Sequence, residues 1–130
     1  MSSHLSIDTQ LRALRHRVPY LMGALVASSD GLVIAHNLPA EIEPSGIAAL
    51  AATQWSLSVR FIATTHASDL NEVVIEGRGG RAVVYGAGAT AVLTVLTDPD
   101  AVLARVHLEA RPVAREIAEL LTSAAATSTT

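Results

Sequence analysis

Residues 44–62 constrain the fold of this chain more than any other segment. Their apolar residues recur at spacings of three and four, which is typical of an α-helix, and Pro44 suits the first helical position. Arg60 is the only charged residue of this predicted helix. Its three faces are a first apolar stripe of Ile47, Leu50, Gln54, Leu57 and Phe61, a second apolar stripe of Ala48, Ala52, Trp55, Val59 and Ile62, and a strip of Ala49, Thr53, Ser56 and Arg60.

Two apolar stripes are more than one contact with a sheet requires. A helix that covers one face of a sheet normally has a single apolar stripe and a charged outer face. We therefore expect this helix to be buried against more than one surface, one of which is another helix. The pattern leaves open which stripe meets the sheet.

The rest of the chain predicts an α+β fold. Ser29-Asp30-Gly31 lies between two apolar runs, which is a strong signal for a β-hairpin. Every link between successive strands is short, so we expect a five-stranded antiparallel sheet with helices on both faces. The predicted order is helix 7–17, strands 22–28 and 32–36, helix 44–62, strands 70–76, 81–86 and 89–97, and a last helix that opens at 98–100.

Local signals set the expected ends of the outer helices. Ser6 is the predicted N-cap of the first helix, and Asp98 that of the last, with Pro99 as its first helical residue. Pro112 removes a helical hydrogen bond and predicts a kink. Residues 1–121 then form a single domain, and the small, polar residues 122–130 are expected to be a flexible tail.

Composition excludes several classes of function. The chain has 130 residues, no cysteine and a net charge of −3, and all nine of its basic residues are arginine. Disulfides and thiolate metal sites are therefore absent, and a weakly acidic chain without a basic stripe is a poor nucleic-acid binder. The longest uncharged runs, residues 44–59 and 82–97, are shorter than the ~20 residues of a membrane span. The first twenty residues lack a signal-peptide pattern, so we expect a cytoplasmic protein.

The chain offers no recognisable catalytic or metal-binding motif. Its five histidines lie in five different predicted elements, and none has a partner at metal-ligand spacing. The glycines around Arg78 are not followed by a helix, so they do not form a phosphate-binding loop. We therefore expect a non-enzymatic protein with no catalytic residues, no metal and no cofactor. Trp55 is either a core residue or an anchor at a protein interface.

Three segments carry a resemblance to a known family. They are residues 24–35, Ala-Leu-Ala-Ala at residues 49–52, and Leu-Thr-Asp-Pro-Asp at residues 96–100. In their order and spacing, over residues 5–121, the chain resembles the roadblock/dynein light chain family, in its bacterial MglB-like branch. The resemblance implies a profilin-like fold, in which a five-stranded antiparallel sheet has one helix on one face and two on the other.

The resemblance also implies a function. Members of this family form homodimers by pairing their central helices and third strands, and bacterial members regulate or scaffold a small Ras-like GTPase in signalling. Some are encoded beside a sensor kinase, which is then a further expected partner. Trp55, Arg60 and Arg78 are the candidate contacts with the GTPase. The predicted dimer interface comprises Ala49, Leu50, Thr53, Gln54, Leu57, Phe61, Val73, Val74 and Ile75.

A different class of function is also compatible with the sequence. A domain of profilin-like or PAS-like topology can act as a small-ligand sensor, for which it needs a cavity with convergent polar groups. The candidates for such groups are few, namely Thr53, Gln54, Ser56 and Ser58.

Overall fold

The computed structural model describes residues 2–128, with the side chains of residues 6–125. All five strands form one antiparallel sheet in the order β2-β1-β5-β4-β3. The predicted α+β fold and element order are confirmed. The elements are α1 (Ser2–Arg17), β1 (Leu21–Ser28), β2 (Val33–Asn37), α2 (Pro44–His66), β3 (Glu72–Gly77), β4 (Gly80–Gly86), β5 (Ala91–Thr97) and α3 (Leu103–Ser128).

Helices α1 and α3 cover one face of the sheet with large aliphatic side chains. The predicted stripe of α1 is fully buried there, and α3 contributes residues three and four apart, as expected for an inward stripe. Side chains from β1, β4 and β5 form the sheet side of this core. Its largest members are Ile7, Leu11, Leu14, Val18, Val26, Val83, Leu93, Val95, Val106 and Ile117.

Helix α2 covers the other face with small side chains. Ala48, Ala51 and Ala52 are its buried residues, and Ile47 and Trp55 pack against the same cluster. The sheet contributes Leu25, Ala27, Val84 and Val92. The stripe that contains Ala48, Ala52 and Trp55 therefore meets the sheet, which the sequence pattern had left undecided.

Two predicted helix starts are wrong. Helix α1 begins at Ser2, so Ser6 lies inside it. Helix α3 begins at Leu103, so Asp98 is not its N-cap. The Asp98 amide donates to the Tyr20 carbonyl at 2.9 Å, and the Asp98 carbonyl accepts from the Ala101 amide at 3.3 Å. Residues 98–101 therefore form a turn that docks on the α1–β1 connection before the helix starts.

The carboxyl-terminal helix is longer than predicted. Residues 122–128 continue α3, and the Thr122 hydroxyl donates to the Ala118 carbonyl at 2.9 Å. The alanines that follow favour the helix, and no glycine or proline ends it. Residues 129–130 lie outside the described residues. Pro112 is exposed, and α3 continues through it as one helix. Among the described residues, no helix is long and apolar enough to cross a bilayer.

A candidate protein interface on α2 and β3

Helix α2 is held at both ends by local caps. The Glu43 carboxylate accepts hydrogen bonds from the hydroxyl and the amide of Ser45, and these bonds hold the pKa of the Glu43 carboxyl below its usual value. A negative charge at the amino-terminal end of a helix also interacts favourably with the helix dipole. At the other end Ala67 adopts a left-handed conformation, φ 50°, and its amide donates to the Ala63 carbonyl. These caps fix where the long outer face of α2 begins and ends.

That outer face is apolar and exposed. Leu50 is 70% exposed, Leu57 55% and Phe61 71%. Isolated exposed apolar residues are common, but three large ones on one helix face mark an interaction site. Three members of the predicted first stripe are therefore uncovered in the monomer, whereas Ile47 of the same stripe packs against the core.

Strand β3 is an edge of the sheet. It pairs with β4 through the register from Glu72↔Tyr85 to Gly77↔Gly80, and within residues 2–128 no strand lies on its other side. Val74 and Ile75 are exposed on its two faces. An unpaired edge with apolar side chains is a template for pairing with another chain.

An open groove of about 850 Å³ joins these two features. It runs between the carboxyl-terminal half of α2 and the first half of β3. Five residues of the predicted dimer interface line it, namely Gln54, Leu57, Phe61, Val73 and Val74, together with Arg60. The sequence reasoning missed several others, namely Ser58, Ile62, Thr64, Thr65, Leu70 and Glu72.

The remaining predicted interface residues lie around the groove or away from it. Leu50 and Thr53 are on the same exposed face, nearer the start of α2, and Ile75 follows along β3. Ala49 lies instead beside the β1–β2 hairpin: a Cβ added to Gly31 would be 3.3 Å from the Ala49 Cα. Val73, which lines the groove, is also half-buried against the core under α2.

The three candidate GTPase contacts are in three different settings. Trp55 is half-buried against the core under α2, and a Cβ added to Gly86 would lie 2.8 Å from its indole. Arg60 is exposed and lines the groove. Arg78 is exposed in the turn between β3 and β4 and does not line the groove. Of the three, only Arg60 therefore lines the groove between α2 and β3.

A polar network ties the edge strand to α3. Glu72 accepts a hydrogen bond from Arg111 and lies 4.0 Å from His107 Nε2, while His107 Nδ1 is 2.8 Å from the Tyr85 hydroxyl. Burial raises the pKa of Tyr85. Burial and then the charge of Arg111 lower the pKa of His107. The protein thus favours a neutral imidazole here.

The sequence pattern assigned no role to any of the five histidines. His107 is largely buried, with its side chain 16% exposed. A signal was present, because Leu103, His107 and Ala110 are spaced by four and three along α3, which indicates an inward-facing position. In the part of the chain that the structure describes, no three His, Asp or Glu side chains are grouped to hold a metal ion.

Known proteins with similar sequences and folds share this architecture. The model of the Roadblock/LC7 domain matches residues 7–97. The uncharacterized protein MJ0714 of Methanocaldococcus jannaschii is 31% identical over 111 residues, which cover 85% of this chain and 92% of that protein. A Roadblock/LC7 domain from Streptomyces avermitilis is 27% identical and superposes with a TM-score of 0.83 over 88% of this chain and 97% of its own.

Two further structures match in fold. MglB in a tetrameric arrangement is 21% identical, with a TM-score of 0.88 over 95% of this chain and 93% of its own. Profilin IA of Acanthamoeba castellanii is 11% identical, with a TM-score of 0.58 over 89% and 96%, in agreement with the predicted profilin-like topology. The family model covers most of the chain, and its match includes the hairpin, α2 and the whole sheet. The chain therefore belongs to the Roadblock/LC7 domain family.

Proposed function

We propose that this protein is a homodimeric, non-enzymatic regulator or scaffold of a small Ras-like GTPase in a bacterial signalling system. The exposed apolar face of α2 beside the unpaired edge of β3 carries the proposal. A monomer leaves this continuous surface in water, and a partner that covers it gains the free energy of apolar burial.

A second copy of the chain is the partner that fits both halves of this surface. In a two-fold dimer, the same patch meets itself. Strand β3 then pairs with its copy and continues the sheet, which satisfies the free edge, and α2 packs against its copy. Leu50, Leu57, Phe61 and Ile75 are the principal proposed contacts, with Ala49, Thr53, Gln54, Val73 and Val74 around them.

Replacement of Leu57 by Glu tests the dimer. A charge buried at the centre of an apolar interface is costly, so Leu57→Glu should shift the mass measured by light scattering from dimer to monomer. The matched control is Leu108→Glu on α3, because Leu108 is also exposed, at 66%, but lies outside the proposed interface. A monomeric parent protein at micromolar concentration, or equal masses for the two variants, would contradict the proposed dimer.

The proposed GTPase partner is supported by family membership and by the structural likeness to MglB. Regulation needs no nucleotide site in this chain, because a regulator can act on the partner's own catalytic loops. We propose that it reorganises those loops in the cytoplasm, with Trp55, Arg60 and Arg78 as candidate contacts. A sensor kinase is a further proposed partner.

Hydrolysis of GTP by a small Ras-like GTPase, measured with and without this protein, tests the mechanism. If either arginine enters the partner's active site, its removal should abolish stimulation, since such arginines contribute about 10³–10⁵ in rate. We expect Arg60→Ala and Arg78→Ala to retain stimulation if loop reorganisation is the mechanism. Loss of stimulation with either variant, while binding persists, would favour an inserted arginine.

A small-ligand sensor is the competing function, and the size of the groove favours it. Its volume of about 850 Å³ falls within the range of ligand pockets. However, the groove is open, and several of its polar groups are already engaged within α2: the Gln54 amide donates to Ser58 at 3.0 Å, and the Thr65 hydroxyl donates to the Phe61 carbonyl at 2.9 Å. A large thermal shift with a metabolite, together with monomeric behaviour, would favour the sensor over the dimeric regulator.

A further inference from the structure

The connection between α1 and β1 contains Tyr20 in a backbone conformation that disfavours a bulky side chain. The Leu21 amide donates to the Val18 carbonyl at 3.4 Å, which closes a β-turn over Pro19 and Tyr20. Tyr20 has φ 68°. With proline at the second position this is a type II turn, whose third position normally requires glycine. A bulky side chain in this conformation is strained.

The strain at Tyr20 is imposed by the fold and is not offset by burial of the ring. Val18 and Leu21 on either side are buried in the core, and the Tyr20 carbonyl accepts from the Asp98 amide at 2.9 Å. The tyrosine side chain, however, is 57% exposed. Strained residues with no packing role mark functional positions, so the exposed ring requires another explanation.

Tyr20 lies in a basic groove. The groove has a volume of about 480 Å³ and is lined by Arg12, Arg15, His16, Tyr20 and Asn37, among others. No carboxylate is among the described residues that line it. In a chain with net charge −3, this is a local concentration of positive charge.

The arginines in and beside the groove differ in whether they are paired. Arg17 at the end of α1 pairs with Glu109 at 3.8 Å, but the side chains of Arg12 and Arg15 make no ion pair or hydrogen bond with the described residues. The helix dipole favours cations in the last turn, which accounts for Arg15. Arg12 lies one turn earlier, where this effect has declined. Two free guanidinium groups beside an exposed aromatic ring indicate a binding surface.

We propose that this groove binds an acidic, extended segment of a partner protein. Arg12 and Arg15 pair with its carboxylates, to which the planar guanidinium is matched, and Tyr20 contacts an apolar side chain between them. Tyrosine and arginine are the residue types that dominate binding energy at protein interfaces. The concave shape and the presence of only two arginines in its lining favour a peptide over an anionic membrane, for which clusters of roughly four to eight basic residues are typical.

This surface is separate from the one on α2 and β3. Helix α1 packs over β1 and β2, at the opposite edge of the sheet from β3. The groove therefore stays accessible in the proposed dimer, which would present two copies of it.

The test is fluorescence anisotropy with a fluorescein-labelled peptide of six glutamates around a central leucine. Arg15→Glu should weaken binding about tenfold. Arg115→Glu, which changes the net charge equally from an exposed position on α3, should change it by less than about twofold. Equal losses of affinity for the two variants would show that net charge alone explains the effect, and would overturn the proposal. Absence of binding by the parent protein would also overturn it.

Two substitutions at Tyr20 separate binding from stability. Tyr20→Gly and Tyr20→Ala both remove the ring, so both should weaken binding by at least about fivefold. Only glycine relieves the backbone strain, so Tyr20→Gly should melt about 3 °C or more above Tyr20→Ala. Parental affinity in Tyr20→Gly would overturn the proposal. So would binding to phosphatidylserine vesicles, lost in Arg15→Glu, without binding to the peptide.

Discussion

The two helical layers of this protein cover one sheet in opposite ways. On one face, α1 and α3 bury Leu, Ile and Val side chains, and α3 presents charged residues such as Arg105, Arg115 and Glu116 to water. On the other face, α2 buries only alanines and presents Leu50, Leu57 and Phe61 to water.

The difference shows which part of the sequence encodes the fold and which encodes assembly. Small residues let α2 lie close to the sheet. Ile47 and Trp55 are partly buried beside them, whereas its three most exposed large side chains point away from the sheet. Hydrophobic burial stabilises the folded chain only where water is removed. The apolar residues of the α1 and α3 layer therefore stabilise the monomer, whereas those on the outer face of α2 have no partner until another surface covers them.

The largest expected effect is the difference in stability loss when a leucine is replaced by alanine in each layer. Leu14 is fully buried in α1, so Leu14→Ala should lower the free energy of unfolding by about 2–5 kcal/mol. Leu50→Ala should change it by less than about 0.5 kcal/mol in the monomer. Denaturant unfolding at protein concentrations low enough for the monomer measures both. A cost at Leu50 as large as that at Leu14 would mean that the two layers do not differ.

The sequence was sufficient to predict most of the fold. The hairpin signal at Asp30-Gly31, the stripe of α1 and the short strand links each gave an element or a pairing that the structure contains. The start of α3 was not predictable, because Asp98 has the signature of a helix cap, but its carbonyl closes a separate turn with the Ala101 amide, and its amide docks that turn on the Tyr20 carbonyl. That tertiary contact leaves no trace in local sequence.

The candidate interface was predictable only in part. The excess apolar surface of residues 44–62 is a property of periodicity, so the sequence alone reveals it. Which stripe faces the sheet depends on the fit of Ala48 and Ala52 against the strands, and both stripes had similar apolar content. The network of Glu72, His107 and Arg111 joins residues distant in sequence, which a pattern within one element does not reveal.

The second prediction concerns how closely α2 packs on the sheet. A Cβ at Gly86 would lie 2.8 Å from the Trp55 indole, so Gly86→Ala should displace the tryptophan and destabilise the protein by about 1–3 kcal/mol. Tryptophan fluorescence and thermal unfolding report both changes. Gly46→Ala is the matched control, because a Cβ there meets nothing within 4 Å and should stabilise the helix by about 0.5–1 kcal/mol. An unchanged emission spectrum and melting temperature in Gly86→Ala would show that α2 does not pack this closely on the sheet.

The smallest expected effect is a pH dependence of folding stability that arises from His107, between α3 and β3. Burial and the charge of Arg111 lower the pKa of His107 below its ordinary value of 6.5, so the unfolded chain takes up this proton more readily than the folded one. Stability should therefore be fully present above pH 6.5 and fall as the pH drops below it toward the folded-state pKa. When His107 is neutral, its Nδ1 can accept a hydrogen bond from the Tyr85 hydroxyl. Protonation makes Nδ1 a donor instead, and it also adds a positive charge beside Arg111.

His107→Gln tests this effect, because glutamine can still accept from Tyr85 but does not titrate. Its melting temperature should fall less than that of the parent protein between pH 7.5 and 5.5, a window chosen to lie above the ordinary carboxylate range. His36→Gln is the control, since His36 is exposed on β2. If the two variants retained the parent's full pH dependence, His107 would not be its source. The link between β3 and α3 would then depend on Glu72 and Arg111 alone. It would be equally strong at neutral pH and in mild acid.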